Sequence, residues 1–186
     1  GDPSLKIVSA AISRAGVKAA AELTDGFIPF FMDPNGFHVF EADINTGFGR
    51  TNGGKTLKEF AITPFCEVSI NDDIESARQP VRENLAFYIG GMGSRNKNFY
   101  NDFCKRVGYE DAAVEIQNHF LAGRRRKAHE AVPEELIDKV ALVGPKERIS
   151  EQIQDWKRAA KLNQIDSLLI KGASKTDLRV IAEAVL

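Results

Sequence analysis

The most explicit spacing in the sequence is Gly49-Arg50-Thr51-Asn52-Gly53-Gly54-Lys55-Thr56, which satisfies the pattern GxxxxGK[ST]. In a P-loop, backbone amides wrap the phosphates of a nucleotide and the Lys meets their charge. That loop has to follow a buried apolar strand and open a long helix. Here the preceding Glu41-Ala42-Asp43-Ile44-Asn45 is half polar, and only Leu57 to Phe60 intervene before the next strand pattern, so a long helix has no room. The segment reads as a loop between two strands, with a P-loop nucleotide-binding protein as the remote alternative.

Other reactive residue types are scattered. His38, His119 and His129 show no HExxH or paired spacing, and His119 lies in an apolar helical run that reads as core or interface. Cys66 and Cys104 are far apart with no CxxC pair, which points away from a metal site or a disulfide scaffold and fits free thiols in the cytoplasm. The net charge of -1 gives no broad reason to expect nucleic acid. The basic run Arg124-Arg125-Arg126-Lys127 reads as a solvated helix end, with an anion contact as the other reading. Phe99, Tyr100, Phe103 and Phe120 are spaced as packing faces.

The elements that must position any site alternate. Strand patterns fall near residues 6–10, 27–31, 61–70 and 167–171, each followed by helical composition, and Pro64 marks an irregularity in the third. Helices are expected over residues 14–23, 74–88, 98–106, 109–121 and 146–162, with a short one after Pro133 and a closing one capped by Ser174. Residues 37–59 carry little periodicity and read as a mobile loop, and residues 90–140 as a helical insertion. The whole of 1–186 reads as one α/β domain, half of a TIM-type (β/α)8 barrel with about four parallel β/α units. Short apolar strands in an open half-barrel leave edges that need a neighbour. Barrel chemistry gathers at the C-terminal ends of strands, which selects Met32, Asp33, Asn71 and Lys171 for inspection; Asp33 and Asn71 also suit turns or caps, and Lys171 suits either a solvated strand end or a substrate contact.

Several motifs in order carry a resemblance: Ile7-Val8-Ser9-Ala10-Ala11; Ala21-Glu22-Leu23-Thr24-Asp25-Gly26-Phe27-Ile28-Pro29; Gly47-Phe48-Gly49-Arg50; Tyr88-Ile89-Gly90-Gly91-Met92-Gly93; Asn98-Phe99-Tyr100-Asn101; and Leu142-Val143-Gly144-Pro145-Lys146-Glu147-Arg148-Ile149. Together they resemble the luciferase-like monooxygenase superfamily, in the branch that uses coenzyme F420, and specifically the C-terminal half of its barrel. The resemblance implies hydride transfer between reduced coenzyme F420, or FMN as the alternative, and an organic small molecule. It places the cofactor phosphate at Ser9, Ala10, Ala11, Ile12 and Ser13, although Ile12-Ser13 departs from the Gly that relatives carry, and an ordinary strand-to-helix turn remains the other reading. It places Tyr88, Gly91, Met92 and Arg95 near the substrate pocket, while a bend between two helices explains the glycines equally well; Lys171 joins these candidate pocket residues through its place at a strand end. It also puts a Gly- and Lys-rich segment near the barrel mouth, where the region around Lys55 could close over the cofactor.

The family's acid-base groups belong largely to the other half of its barrel, so no catalytic residue is assigned. The partners implied are a small-molecule substrate and either a missing N-terminal half or a second copy, with neither nucleic acid nor membrane. A non-catalytic half-barrel that oligomerises is the rival reading.

Overall fold

The computed structural model describes residues 4–51 and 54–186. They gather into two compact units. The first holds the described residues up to Cys66 together with Glu151–Lys171, and the second holds Glu67–Ser150 together with Gly172–Ala184.

In the first unit, β1 (Val8–Ala11), β2 (Gly26–Pro29) and β3 (Ala61–Ile62) form a parallel sheet in the order β1-β2-β3. Val8 pairs with Gly26, Ala10 with Ile28 and Gly26 with Ala61. Between β1 and β2 runs α1 (Arg14–Leu23), an Ala-rich segment whose buried face is Val17, Ala20 and Ala21. Ser13 starts it by accepting the Gly16 amide at 3.1 Å, and Thr24 ends it by donating its hydroxyl to the Ala20 carbonyl at 2.8 Å. These small residues let α2 (His38–Phe48) approach closely. A side chain at Gly47 would stand 2.5 Å from both the Ala21 methyl and the Lys18 carbonyl, so only Gly fits. Beneath, Phe27 is fully buried, stacked on Phe60 at 5.8 Å and edge-on to Phe40 at 5.5 Å.

The helix α2 corrects the expectation of irregular chain over residues 37–59. Phe37, Phe40, Ile44 and Phe48 are all buried at helical spacing, a pattern diluted in the sequence by Asp43, Asn45, Thr46 and Gly47. The strand expected over residues 61–70 is divided at Thr63-Pro64 into β3 and β4 (Phe65–Ile70), because Pro64 has no N–H to continue the ladder. Its carbonyl instead accepts from Leu169 in β6 (Leu169–Lys171) at 2.9 Å.

In the second unit, β4 pairs in parallel with β5 (Ala141–Gly144), with Val68 opposite Leu142. The sequence reading missed β5. It follows α7 (Glu134–Val140) with no turn residue between, so helix and strand run together as one apolar stretch. Gly144 closes it at φ 114° against Arg148 and Ile74. After β4, Asp73 caps α3 (Ile74–Gly91) by accepting the amides of Glu75 and Ser76 at 2.9 and 3.1 Å. The helix continues through Gly90-Gly91, past the break expected there. Helices α4 (Phe99–Arg106), α5 (Glu110–Leu121) and α6 (Arg125–Glu130) follow, then α7; Lys146–Lys161 is α8 and Lys175–Val185 is α9. The basic run opens α6 instead of closing a helix: Gly123 at φ 74° has already ended α5. Arg124 donates to His119, and Arg125 lies 3.4 Å from the centre of the Phe120 ring. Phe103 and Phe120 are core, as expected, but Phe99 is 52% exposed.

Two polar features hold the second unit together. Asn101, 2% exposed, donates to the Ile89 and Ala113 carbonyls at 3.1 and 2.7 Å and so ties α4 to α3 and α5. Arg78 grips Asp138 with two nitrogens at 3.1 and 2.7 Å and reaches Glu134 at 2.7 Å, fixing α3 against α7.

Candidate functional site

Parallel strands send every connection that follows a strand to the same edge of the sheet. In the first unit that edge carries Ile12 and Ser13 after β1 and Phe30 to Asp33 after β2. Ser9, Ala10 and Ala11 are small residues of β1, half-buried, exposed and half-buried respectively, and they lead directly into the N-terminus of α1. Backbone N–H groups of a first helical turn have no partner inside the helix and favour an anion. Ser13 engages one of them, at Gly16. The expected site residues 9–13 thus form one continuous strand, turn and helix start.

After β2 the chain turns sharply. Phe31 adopts φ 55°, a left-handed conformation rare for an aromatic residue. Asp33 then builds a turn, accepting the Asn35 amide on its carboxylate at 2.7 Å and the Gly36 amide on its carbonyl at 2.9 Å. Met32 is buried, 1% exposed. Phe30 lies parallel to Phe65 at 5.0 Å, and the Lys171 ammonium is 6.0 Å from the Phe65 ring centre. Phe30, Phe31 and Phe65 were not singled out from the sequence; strand-end position alone could have flagged the first two.

The P-loop pattern falls partly outside the described residues, at Asn52 and Gly53. Its Lys55 does not face the strand-end edge. The ammonium donates to the carbonyls of Ala21, at 3.1 Å, and of Thr24, and sits 4.6 Å from the Phe60 ring centre. It therefore caps the C-terminus of α1, where the chain is about to enter β2, at the opposite end of the sheet from Ser13. This removes both the P-loop reading and the expectation that this Lys closes over a cofactor. Partial burial pushes its pKa below the ordinary Lys value, with nearby Asp25 and Glu59 working against the shift.

In the second unit, Asn71 is a turn residue: its side chain accepts the Asp73 amide at 2.9 Å and its own amide donates to Gly144 at 3.1 Å. Tyr88, Gly91 and Met92 occupy the last turn of α3 and its cap. The Tyr88 ring meets Tyr100 at 4.8 Å, and burial raises the Tyr100 phenol above its ordinary pKa. The ring of Phe120 covers the face of Gly91 that would carry a side chain. Met92 is 43% exposed, and Arg95 donates to the Asn118 side chain. His119 is partly exposed beside Glu115, 3.6 Å away. A surface groove of about 520 Å³ runs past Glu75, Arg82, His129 and Glu134, whose Arg82 is paired to Glu75 at 3.2 Å.

Cys66 and Cys104 are both buried, and burial pushes the Cys104 thiol up to about 12, which leaves it protonated and unreactive as a nucleophile. Among the described residues no group of three His, Cys, Asp or Glu is placed to hold a metal ion, and no helix is long and apolar enough to cross a membrane.

Comparison with known proteins places this architecture. The chain is 29% identical over 181 residues to a Mycobacterium tuberculosis protein provisionally named a coenzyme F420-dependent oxidoreductase, covering 97% of this chain and 51% of that one. It is 23% identical over 175 residues to the 5,10-methylenetetrahydromethanopterin reductase of Archaeoglobus fulgidus, covering 91% of this chain and 50% of the relative. In fold it is similar to the coenzyme F420-dependent tetrahydromethanopterin reductase of Methanopyrus kandleri, with a TM-score of 0.69, 20% identity, and coverage of 97% of this chain and 49% of that one. The α/β architecture of parallel β/α units is thus that of the luciferase-like TIM barrels, and the chain spans about half the length of the curated relatives it matches. The family model for luciferase-like monooxygenases matches residues 2–161, and the chain belongs to that family.

Proposed function

We propose that this chain is about half of the barrel of a coenzyme F420-dependent oxidoreductase, and that it contributes the anchorage of the cofactor rather than the acid-base groups. The observation that carries this reading is the β1–α1 turn: small residues at Ser9, Ala10 and Ala11 allow close approach, and the α1 N-terminus offers amides to a phosphate. Those residues fit the phosphate-bearing end of such a cofactor. When bound, the deazaflavin ring supplies hydride transfer to or from an organic substrate. Ser9, Ala10, Ala11, Ile12 and Ser13 fix its phosphate, and Lys171 borders the substrate. Contacts described above give Tyr88, Gly91, Met92 and Arg95 an architectural account; a pocket role for them is a further part of the proposal, tested by whether Met92→Ala changes substrate KM in the full-length enzyme.

The test is a titration of coenzyme F420 against the chain and its Ala10→Asp variant, with size-exclusion chromatography alongside. A one-to-one complex that the added carboxylate abolishes supports the reading, and FMN in parallel decides between the two cofactors. A chain that forms an oligomer and responds to neither cofactor supports the rival, a non-catalytic half-barrel. One observation favours that rival: Leu5, Ile7 and Val8, at and before the edge strand β1, are 72%, 60% and 45% exposed, the kind of apolar edge that seeks a partner.

A further inference from the structure

We infer that the exposed face of α5 docks a second copy of this chain, the two α5 helices packing antiparallel about a two-fold axis. This surface lies in the second unit, apart from the β1 edge, and it does not rest on the cofactor reading.

Helix α5 buries one side only. Ala113, Ile116, Gln117 and Phe120 are buried, while Val114 and Leu121 each remain 44% exposed. At about 100° per residue, Glu110, Val114 and Leu121 fall within about 40° of one line along the outer face, with Asp111 and Asn118 beside them. Charge is segregated along that line. Glu110 and Asp111 open the helix, both exposed and neither paired with a cation among the described residues. Arg124 and Arg125 lie at its far end and are also exposed. Gly123 turns the chain there at φ 74°, yet both arginines stay on the last turn of α5. Arg124 donates its Nε to His119 at 3.0 Å, and the Arg125 guanidinium rests 3.4 Å from the centre of the Phe120 ring. Neither meets a carboxylate among the described residues, so their terminal N–H groups can serve another acceptor.

The pattern fits itself when reversed. Turning α5 end for end about a point between Gln117 and Asn118 sets Val114 opposite Leu121, Asp111 opposite Arg124 and Glu110 opposite Arg125. A two-fold axis makes each of these contacts twice. Acids at a helix start and bases at its end also suit the helix dipole, but the dipole gives no reason for apolar side chains to stand in water between them. Asn118, near the midpoint, accepts from Arg95, so its carbonyl keeps a partner when water leaves. One helix pair buries less than the roughly 1,600 Å² of a standard interface, so the dimer is weak. Because exposed charges set its register, it is also sensitive to salt.

Sedimentation equilibrium of the intact chain tests this at about 0.01 M and about 1 M NaCl, between which the Debye length falls from about 30 to about 3 Å. The expected result is a monomer–dimer equilibrium that high salt weakens. Glu110→Arg with Asp111→Arg, and separately Arg124→Glu with Arg125→Glu, should each weaken dimerisation about tenfold, because symmetry counts every reversal twice. An equimolar mixture of the two reversed proteins should dimerise again, since every charge then meets its opposite, and a merely misfolded variant would not be rescued in this way. Leu121→Glu should abolish the dimer with far-UV circular dichroism unchanged, whereas Ile7→Lys, beside the β1 edge, should leave it intact. A chain that is monomeric at low salt, a dimer indifferent to the charge reversals, a mixture that stays monomeric, or a dimer lost only in Ile7→Lys overturns the assignment.

Discussion

Replacing Gly91 by Ala separates two accounts of the α3 corner by the sign of a stability change. Alanine is favoured over Gly in a helix by up to about 1 kcal/mol, so a Gly kept open only for a ligand would tolerate Ala and gain stability. The structure gives the opposite sign. An added methyl at Gly91 would stand 2.6 Å from one Phe120 ring carbon and 2.9 Å from another, well inside contact distance. Forcing a methyl into a packed contact costs about 1–3 kcal/mol, and an overlap this close with ring carbons falls in the upper part of that range, about 2–3 kcal/mol. Offset by the propensity gain, the net is destabilisation of about 1–2 kcal/mol. For a chain of 186 residues, each kcal/mol lowers Tm by about 2–4 °C, so the melting point should fall by about 2–8 °C. Thermal unfolding followed by far-UV circular dichroism measures this. Gly91→Ala combined with Phe120→Leu, which removes the opposing ring, should fall by less than the sum of the two single changes. A Gly91→Ala protein at or above the wild-type Tm would refute the packing account and return Gly91 to the pocket.

Further outcomes follow from the same contacts. The wild type and Lys55→Met should both be indifferent to ATP, because Lys55 caps α1; a nucleotide-induced rise in Tm that Lys55→Met removes would restore the P-loop. Since burial lowers the Lys55 pKa below 10.5, the folded state disfavours its charge: stability should rise with pH between the lowered value and 10.5, and fall as pH drops through the lowered value, a slope that Lys55→Met flattens. Arg78→Met, which removes both of its bonds to Asp138 while Arg148 still pairs with that carboxylate at 2.9 Å, should cost about 1 kcal/mol in urea unfolding, the scale for losing a charge-assisted contact whose partner is not left unpaired. Cys104, with its pKa pushed up to about 12, should resist iodoacetamide in the native protein and react on unfolding; rapid native labelling at that position would contradict its burial.

Much of the scaffold was legible because its signals are local. Ser174 caps the helix the sequence assigns to it, and Ser13, Asp73 and Asn98 cap theirs in the same way, because a side-chain oxygen one position before a helix meets its first amides wherever the rest of the chain lies. The losses occur where tertiary packing overrides local pattern. Phe37, Phe40, Ile44 and Phe48 form a helical stripe whose intervening polar residues resemble a loop until α1 presents small residues for Gly47 to meet. Strand β5 is four buried residues that only pairing with β4 distinguishes from the end of α7. At the candidate site, residues 9–13 were suggested by the family resemblance, and they form one continuous strand, turn and helix start. The Phe30, Phe31 and Phe65 cluster was invisible because Phe65 is remote in sequence from the other two and meets them only through the fold.

The account stands or falls most directly on amide chemical shifts of this chain as coenzyme F420 is added. The prediction is saturable shifts concentrated at Ile12, Ser13 and the first amides of α1, with Arg50 to Thr56 unmoved. Shifts confined to that latter segment, or none at the β1–α1 turn at concentrations that saturate the rest of the chain, would contradict it.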